Sequence, residues 1–272
     1  MNHKFQTILL KAKEDVYTHL SGGMLSKKLG QGYDFAELRE YERSDDIRHI
    51  SWINSAKLGE PYVKKMHEER ALKVALCTIM DGRFMVGEKK NTLLQTVATI
   101  AYSAYHANDS LYFMHAKEKG LQTIEASKNM ETIEDGMQQL YELNPLGTSI
   151  SYDSVVSQLL KQIEQKSLLF IVGDFLEHVD LSILAQKHEV LVLIVRDHEE
   201  ENPSVLGGKQ LMNPQTKQMI NQSLSKKAIA HYLQRRLEHD TALFEHCYQN
   251  NIRFVKIYEL EEVMEKLERL FL

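Results

Sequence analysis

Three continuous apolar runs constrain the fold of this chain more than any other feature. They are residues 74–80, 168–172 and 190–195. Strands buried on both faces of a parallel sheet have this continuous character, whereas strands with one solvent-facing side alternate apolar and polar residues. Segments with apolar residues at helical spacing separate the runs. The sequence therefore predicts a doubly wound α/β fold around a mostly parallel sheet.

The remaining pattern predicts the other elements and the domain organisation. Helices are predicted near residues 5–20, 94–105, 130–143, 151–165, 229–247 and 260–271, and strands at residues 111–114, 121–124 and 252–257. Gly207-Gly208 and the segment Asn213–Thr216 read as turns that flank a small hairpin. We expect an N-terminal helix and a charged, partly extended arm over residues 1–70. They pack on an α/β domain of residues 71–272, which carries a hairpin insertion near residues 197–222.

Composition narrows the classes of function. A net charge of -5 over 272 residues gives no reason to expect a nucleic-acid partner. No apolar run approaches the roughly 20 residues that span a bilayer, so we expect no direct membrane insertion. The first residues show no small-residue cleavage site after an apolar core, which favours a cytoplasmic protein. Cys77 lies in an apolar run and Cys247 on an apolar helical face, so we expect buried free thiols.

Polar side chains stand where predicted strands end. Asp81 and Asp174 each follow a strand, and Thr148 lies in the turn before a helix. Sites in doubly wound sheets gather at the carboxyl ends of the strands. Two carboxylates and a hydroxyl there would suit Mg²⁺. The other interpretation is that the three side chains cap helices by accepting free N–H groups, and spacing alone favours it. The acidic segment 197–201 is expected to be a solvated loop.

The charged arm carries a motif that resembles a known family. The motif reads Leu38-Arg39-Glu40-Tyr41, followed by Asp45, Asp46, Arg48, Ile50, Trp52, Ser55 and Ala56. It is similar to the signature of the bacterial family called domain of unknown function 58. Shorter matches follow in the same order, at residues 69–70, 81, 147–148, 172–175, 195–197 and 213–216, so the resemblance covers about residues 30–272.

The resemblance implies a von Willebrand factor A-like domain, a Rossmann-type α/β fold. In such domains a metal-ion-dependent adhesion site uses an Asp-x-Ser-x-Ser motif, a Thr and a second Asp. Asp81, Thr148 and Asp174 match these positions, but Arg83 and Met85 replace the two serines. A thioether is a poor ligand for a hard cation, and a guanidinium repels it. We therefore expect a degenerate, metal-free site in which Arg83 pairs with the carboxylates. Weak Mg²⁺ binding through Asp81, Thr148 and Asp174 is the alternative.

Two interpretations of the arm remain open at this stage. In the first, charged residues of the motif form an ion-pair network that fastens the arm to the domain: Arg39, Glu40, Asp45, Asp46 and Arg48. Trp52 would then anchor the arm through buried aromatic surface. In the second, the arm is a docking face for a partner. The paired charges among aromatics favour the first interpretation.

The family resemblance also implies a partner. Its members are associated with MoxR-type AAA+ ATPases, in systems that look like chaperones acting on client proteins. We therefore expect a non-enzymatic interaction module, an adaptor or co-chaperone of such an ATPase with a client that the sequence does not name. Its contact face would be the rim with Asp81, Arg83, Thr148 and Asp174. The alternative is a metal-dependent hydrolase that uses Asp81 and Asp174 to hold a cation and activate water.

Overall fold

The computed structural model describes residues 3–20, 35–42, 45, 50–66, 73–204, 210–221, 225–259 and 263–271. The strands are β1 (Phe35–Glu40), β2 (Tyr62–Met66), β3 (Lys73–Thr78), β4 (Ser110–Lys117), β5 (Gly120–Ser127), β6 (Leu168–Gly173), β7 (Glu189–Val195), β8 (Gln210–Met212), β9 (Met219–Asn221) and β10 (Arg253–Ile257). The helices are α1 (His3–Leu20), α2 (Trp52–Leu58), α3 (Lys89–His106), α4 (Met130–Glu142), α5 (Tyr152–Gln162), α6 (Ser182–Lys187), α7 (His198–Glu201), α8 (Lys226–Gln249) and α9 (Val263–Phe271).

A six-stranded sheet in the order β10-β7-β6-β3-β4-β5 forms the centre of the described chain. The strands β10, β7, β6, β3 and β4 run parallel, and β5 pairs with β4 in the antiparallel direction. The three apolar runs became β3, β6 and β7, and each of these strands lies between parallel neighbours on both sides. Continuous apolar character therefore marked the strands in the middle of the sheet.

Each face of the sheet has its own apolar core. Successive side chains of a strand point to opposite faces, so Val74 and Leu76 join one core while Ala75 and Cys77 join the other. The first core receives residues from α1, α3, α4 and α9, and the second from α5, α6 and α8. Helices on both faces of a mostly parallel sheet confirm the predicted doubly wound α/β fold.

Helix α1 belongs to the first of these cores. Phe5, Leu9, Ala12 and Val16 recur at helical spacing and are all buried. Their stripe packs chiefly against α3 and also reaches α9. The sequence pattern predicted this helix because a single apolar stripe at helical spacing indicates a helix that buries one face.

The order of the strands creates a crevice at their carboxyl ends. From β3 the chain crosses to β4 on one side, and β6 lies on the other side of β3. At such a switch in direction the loops leaving the two neighbouring strands separate, which leaves room for a site. Asp81 follows β3 and Asp174 follows β6, so both carboxylates lie at this crevice.

The described part of the arm is a small substructure of its own. β1 pairs antiparallel with β2, and α2 lies between them in the chain. The partly extended character of the arm was predicted, whereas α2 was not. Trp52 is 67% exposed, and α2 has no buried residue. The prediction that Trp52 anchors the arm through buried aromatic surface is therefore wrong, because its helix turns the indole to solvent.

Three other expectations from the sequence concern the cysteines, the hairpin and membrane insertion. Cys77 and Cys247 are free and buried, as predicted, and burial raises the pKa of each thiol to about 12. The segment Asn213–Thr216 is the turn between β8 and β9 and does not flank the hairpin, whereas residues 207–208 lie outside the described residues. Across the described ranges, no helix combines the length and apolar character that crossing a bilayer requires.

Candidate functional site

Asp81 begins the site at the end of β3. Its side chain is 1% exposed and accepts a hydrogen bond from the backbone N–H of Arg83 at 2.9 Å, which caps the short 3-10 turn Gly82–Met85. The capping interpretation is confirmed for this residue. The same carboxylate also receives the Arg83 guanidinium, Nε at 3.1 Å on Oδ1 and Nη2 at 2.8 Å on Oδ2. The turn thus folds Arg83 back onto the residue that starts it.

Arg83 also reaches the second carboxylate of the crevice. Its Nε lies 3.1 Å from Asp174 Oδ2, and its Nη1 lies 3.3 Å from the Glu177 carboxylate. Burial alone would lower the pKa of the guanidinium, but the charges of Asp174 and Asp81 outweigh it and raise that pKa above its ordinary value. One arginine therefore bridges the two strand-end aspartates, and its outer edge meets a half-exposed glutamate.

Lys89 supplies a second buried cation that the sequence analysis missed. Its side chain is fully buried at the start of α3, with Nζ 3.7 Å from Asp174 Oδ2 and 3.0 Å from both carboxylate oxygens of Glu200. The ammonium also lies 5.5 Å from the centroid of the Phe84 ring. No periodicity distinguishes this lysine from a solvated helix residue, so only the structure reveals its place.

Tyr152 fixes the other side of Asp174. Its hydroxyl donates to Asp174 Oδ1 at 3.1 Å and accepts from the backbone N–H of Phe175 at 2.8 Å. Phe175 is fully buried and adopts a left-handed backbone with φ 46°, which is strained for a bulky side chain. Burial, and then the charge of Asp174, raise the pKa of Tyr152 well above its ordinary value. The loop after β6 is thus held in one conformation.

Thr148 takes part through its backbone. Its carbonyl accepts from Gly82 N–H at 3.0 Å, while its hydroxyl donates to the Pro145 carbonyl at 2.6 Å. Ser151, not Thr148, caps α5. No helix begins directly after Asp174, whose Oδ1 accepts from Leu176 N–H at 3.3 Å instead. The helix-capping interpretation is therefore wrong for Thr148 and Asp174.

The turn of the β8–β9 hairpin lies against these loops. Gln215 Nε2 donates to Asp81 Oδ2 at 2.8 Å, and the Pro214 carbonyl accepts from Gly147 N–H at 2.8 Å. A Cβ on Gly82 would lie 2.1 Å from that carbonyl oxygen. Glycine is needed at Gly82 for this close approach. The family resemblance had marked residues 213–216, but only the structure places Gln215 on Asp81.

The acidic segment 197–201 is not a solvated loop, which corrects the sequence expectation. Asp197 is 2% exposed and caps α7 by accepting from Glu199 N–H at 2.8 Å; it also accepts from Glu88 N–H at 3.2 Å. Glu200 pairs with Lys89, and Glu201 is 9% exposed. The acidic run misled because Asp197, Glu200 and Glu201 each have a partner far away in the chain.

A second charged network joins the crevice to α8 and β10. Arg196 is fully buried, and its Nη2 donates to Asp240 Oδ1 at 2.9 Å and to the Phe175 carbonyl at 3.4 Å. Lys256 Nζ bridges Asp240 at 2.6 Å and Glu201 at 2.8 Å. Burial alone would raise the pKa of Asp240, but His239, Lys256 and the charge of Arg196 hold it well below its ordinary value. Asp240 therefore remains ionised, which a buried guanidinium requires.

The residues present do not fit Mg²⁺. Arg83 lies where a cation would have to contact Asp81 and Asp174, and neither Arg83 nor Met85 offers the oxygen ligand of a serine. Asp174 Oδ2 has no hydrogen-bond donor among the described residues, yet Arg83 and Lys89 lie beside it. Within the described ranges, no group of three or more acidic, histidine or cysteine side chains is arranged to hold a metal. This geometry gives the hydrolase alternative no support.

The arm residues that the structure describes interact close to home. Arg39 Nη2 lies 2.5 Å from Asp45 Oδ1, and its Nη1 lies 3.6 Å from the exposed Glu42. Arg39 also donates to the carbonyl of Glu40 at 3.2 Å. These pairs join one end of β1 to Glu42 and Asp45, which follow it in the chain. Whether the arm is also fastened to the α/β domain stays a prediction, because Asp46 and Arg48 lie outside the described residues.

Two other motif residues hold the substructure of the arm together. Tyr41 N–H donates to the Pro61 carbonyl at 2.8 Å. Ser55 Oγ accepts from Tyr62 N–H at 2.8 Å and donates to the Ser51 carbonyl at 2.9 Å, which ties α2 to β2. The serine of the motif thus has a local structural role.

Comparisons with known proteins identify relatives without established functions. The family model described as "Protein of unknown function DUF58" matches residues 37–242. Uncharacterized proteins of Mycobacterium bovis and Mycobacterium tuberculosis are each 23% identical over 211 residues, which is 74% of this chain and 67% of theirs.

Solved structures show only distant likeness. The SpRpn10 VWA domain is 10% identical with a TM-score of 0.35, over 72% of this chain and 94% of that one. An aerotolerance-related membrane protein from Bacteroides fragilis is 10% identical with a TM-score of 0.34, over 66% of this chain and 98% of that one. Scores this low carry no functional argument. The family model, by contrast, covers most of the sequence, and the chain therefore belongs to the DUF58 family of proteins of unknown function.

Proposed function

We propose that this chain is a non-enzymatic interaction module, an adaptor or co-chaperone of a MoxR-type AAA+ ATPase, that contacts its partner through the crevice rim. The observation that carries the proposal is the position of Arg83. Its guanidinium lies between Asp81 and Asp174 and leaves one edge, Nη1, on the half-exposed Glu177. A buried, oriented cation with one exchangeable ligand suits recognition of an acidic group better than catalysis.

The contact works by exchange. A carboxylate of the partner takes the place of Glu177 on Arg83 Nη1, so the charge of the cluster does not change on binding. Asp81 and Asp174 hold the guanidinium plane while the exchange occurs, since they bind Nε and Nη2. In an intact adhesion site a shared metal would make this contact; here a fixed arginine makes it.

Substitutions at the two ends of this contact have opposite effects. Arg83→Ser removes the cation and should abolish binding of a purified MoxR-type ATPase from the same organism. Glu177→Gln frees Nη1 from its internal competitor and should tighten binding. Glu164→Gln is the matched control, because Glu164 is an exposed glutamate between α5 and β6, at the end of β6 away from the crevice. Biolayer interferometry in ATP, ADP and nucleotide-free buffer measures all three.

Two results would contradict the proposal. The first is absence of ATPase binding in every nucleotide state. The second is binding that Arg83→Ser and Glu164→Gln change equally, which would show that the rim is not the contact face. Loss of binding with Arg83→Ser alone, together with a gain for Glu177→Gln, would support it.

We also propose that the crevice site works without a divalent cation. Isothermal titration of the chain with Mg²⁺ and with Mn²⁺ should detect no binding in the micromolar range, because Arg83 already compensates both aspartates. Micromolar binding that disappears in Asp81→Ala would overturn this part. A phosphatase and phosphodiesterase screen with the same two ions tests the hydrolase alternative.

The proposed partnership with an ATPase also implies a cellular compartment for this chain. A MoxR-type ATPase works where ATP is available, which places the pair in the cytoplasm. The two buried cysteines agree with that compartment, because both are free thiols and not a disulfide.

A further inference from the structure

A cavity of about 320 Å³ opens beside the crevice, between the end of β4 and the loop that precedes α5. Its volume lies at the lower end of the range for ligand pockets, roughly 300–1,000 Å³. Thr148, which contacts the loops of the crevice, also lines this cavity.

The inner part of this cavity is apolar. Met80 and Ile150 are buried side chains of the two cores, and Leu143 and Pro145 add aliphatic surface from the loop. An aliphatic side chain of a ligand would replace water against this surface, which is favourable in proportion to the apolar area removed from water. The volume holds one large side chain and its adjoining backbone, but not a helix.

The outer part of the cavity is basic. Lys117 and Lys119 are exposed at its mouth, and neither makes an ion pair with any residue in the part of the chain that the structure describes. The one carboxylate of the lining, Glu118, accepts a hydrogen bond from Ser149 N–H at 3.3 Å. The lining therefore carries two ammonium groups against one carboxylate, and this excess of positive charge faces any ligand that extends out of the cavity.

His115 lies between the apolar and basic parts. Its Nδ1 is 3.0 Å from the Thr78 hydroxyl at the end of β3. Burial, and then the charge of Lys117, lower the pKa of His115 to about 4, so the ring is neutral near neutral pH. The positive charge at the mouth thus comes from the two lysines and does not depend on acidification.

We propose that this cavity binds a short acidic peptide segment of a partner protein, with one aliphatic side chain in the apolar part and flanking carboxylates on Lys117 and Lys119. Charge complementarity and the division into an apolar floor and a basic mouth define this occupant. A ligand must reach beyond the cavity to meet both lysines, which an extended peptide does. The inference rests on the proposed role as an interaction module and adds a second contact to the same rim.

The test uses the peptide Glu-Asp-Leu-Asp-Glu, with both ends blocked, as the probe. The chain is labelled with ¹³C at its methionine methyl groups, because Met80 lines the cavity and reports occupancy directly. Titration should move the Met80 methyl signal in a saturable way. Replacing the leucine of the probe by glycine should remove the shift, since nothing then fills the apolar part.

Lysine substitutions test the basic mouth. The double variant Lys117→Ala/Lys119→Ala should weaken peptide binding about tenfold, as expected when two exposed ion pairs are lost. The matched control is Lys166→Ala/Lys187→Ala, which removes two exposed lysines elsewhere on the surface. It should leave the dissociation constant unchanged.

Three outcomes would overturn the proposal. The Met80 signal does not move; the two double variants weaken binding equally; or 4-methylpentanoate moves Met80 with the same affinity as the peptide, which would assign the cavity to a small carboxylate. This assay contains no ATPase, so its outcome does not depend on ATPase binding. Failure of peptide binding is therefore distinguishable from failure of the ATPase partnership.

Discussion

The arm and the crevice rim contain the same kinds of charged residue but bury them differently. In the arm, the side chains of the Arg39–Asp45 pair are 32% and 14% exposed; in the rim, those of Arg83 and Asp174 are 12% and 1% exposed. An ion pair near solvent contributes about 0–1 kcal/mol, whereas removing one partner of a buried pair costs several kcal/mol. The described charges of the arm therefore lie closer to solvent, whereas those of the rim depend on the fold for their pairing.

The largest effect is expected for Asp174→Ala. It leaves Arg83 and Lys89 beside an empty carboxylate position, so the free energy of unfolding should fall by about 3–5 kcal/mol. Urea denaturation measures it against Asp135→Ala, an exposed aspartate on α4 that should change stability by less than about 0.5 kcal/mol. Asp174→Asn serves if the alanine variant does not fold. Equal effects at Asp174 and Asp135 would remove the distinction between rim and surface charges.

The next largest effect is expected from acidification, which should destabilise the folded chain through His115. His115 has a pKa of about 4 in the folded chain against 6.5 for the unperturbed side chain, so the unfolded state binds more protons between these values. Stability is therefore lost as the pH falls through this window. Between pH 7 and pH 4.5 the loss due to His115 should be about 2–3 kcal/mol.

The measurement for this prediction is the free energy of unfolding at each pH for the chain and for His115→Gln. The glutamine variant should show a shallower loss, by that amount. His231→Gln, at an exposed histidine, should follow the unsubstituted chain. A His115→Gln curve parallel to the original would show that the ring titrates normally.

The packing of the hairpin on the site gives a smaller effect. Gly82→Ala introduces a Cβ 2.1 Å from the Pro214 carbonyl, so the turn must shift at a cost of about 1–3 kcal/mol. Hydrogen exchange of the Gly147 amide, which donates to that carbonyl, should become faster.

Gly59→Ala is the control for this substitution. Nothing lies within 4 Å of a Cβ there, although its φ of 84° imposes backbone strain on alanine. It should destabilise the arm without changing exchange at Gly147. Unchanged exchange in Gly82→Ala would mean that the hairpin does not rest on the crevice.

The smallest effect is expected in the arm. Trp52→Ala removes a side chain that is 67% exposed, so the free energy of unfolding should change by less than about 0.5 kcal/mol. Trp52 is the single tryptophan of the chain, and its fluorescence should be quenched by acrylamide almost as readily as that of free tryptophan. A shielded indole, or a loss above about 2 kcal/mol, would restore it as a structural anchor.

Much of the fold could be predicted from the chain because its signals are local. The continuous run at residues 74–80 marked a central strand, and the stripe from Phe5 to Val16 marked a helix with one buried face. The segment 52–58 was missed as a helix, since it carries no apolar stripe to bury. Apolar periodicity in the sequence indicates a helix or strand that buries one of its faces. An element with no buried face therefore shows little periodicity and is hard to predict.

The candidate site was predicted only in part. Strand ends singled out Asp81 and Asp174, and the family comparison singled out Arg83. The partners that complete the cluster lie far away in the sequence: Lys89 and Glu200 are 111 residues apart, and Gln215 and Asp81 are 134 residues apart. No spacing rule connects residues at such distances, and the acidic run 197–201 accordingly resembled a solvated loop.

By itself, the sequence determined the order of the core strands and of the long helices, the two-sided burial of the central strands and the carboxylates at their ends. These features follow from the periodicity of side chains along each element and from the residues at which an element ends, and both are properties of a few neighbouring residues. The tertiary structure alone decided that Arg83 lies between the two aspartates, that the hairpin turn rests on Asp81 and that Trp52 faces water. Charge pairing and burial depend on distances through space, which only the folded chain sets.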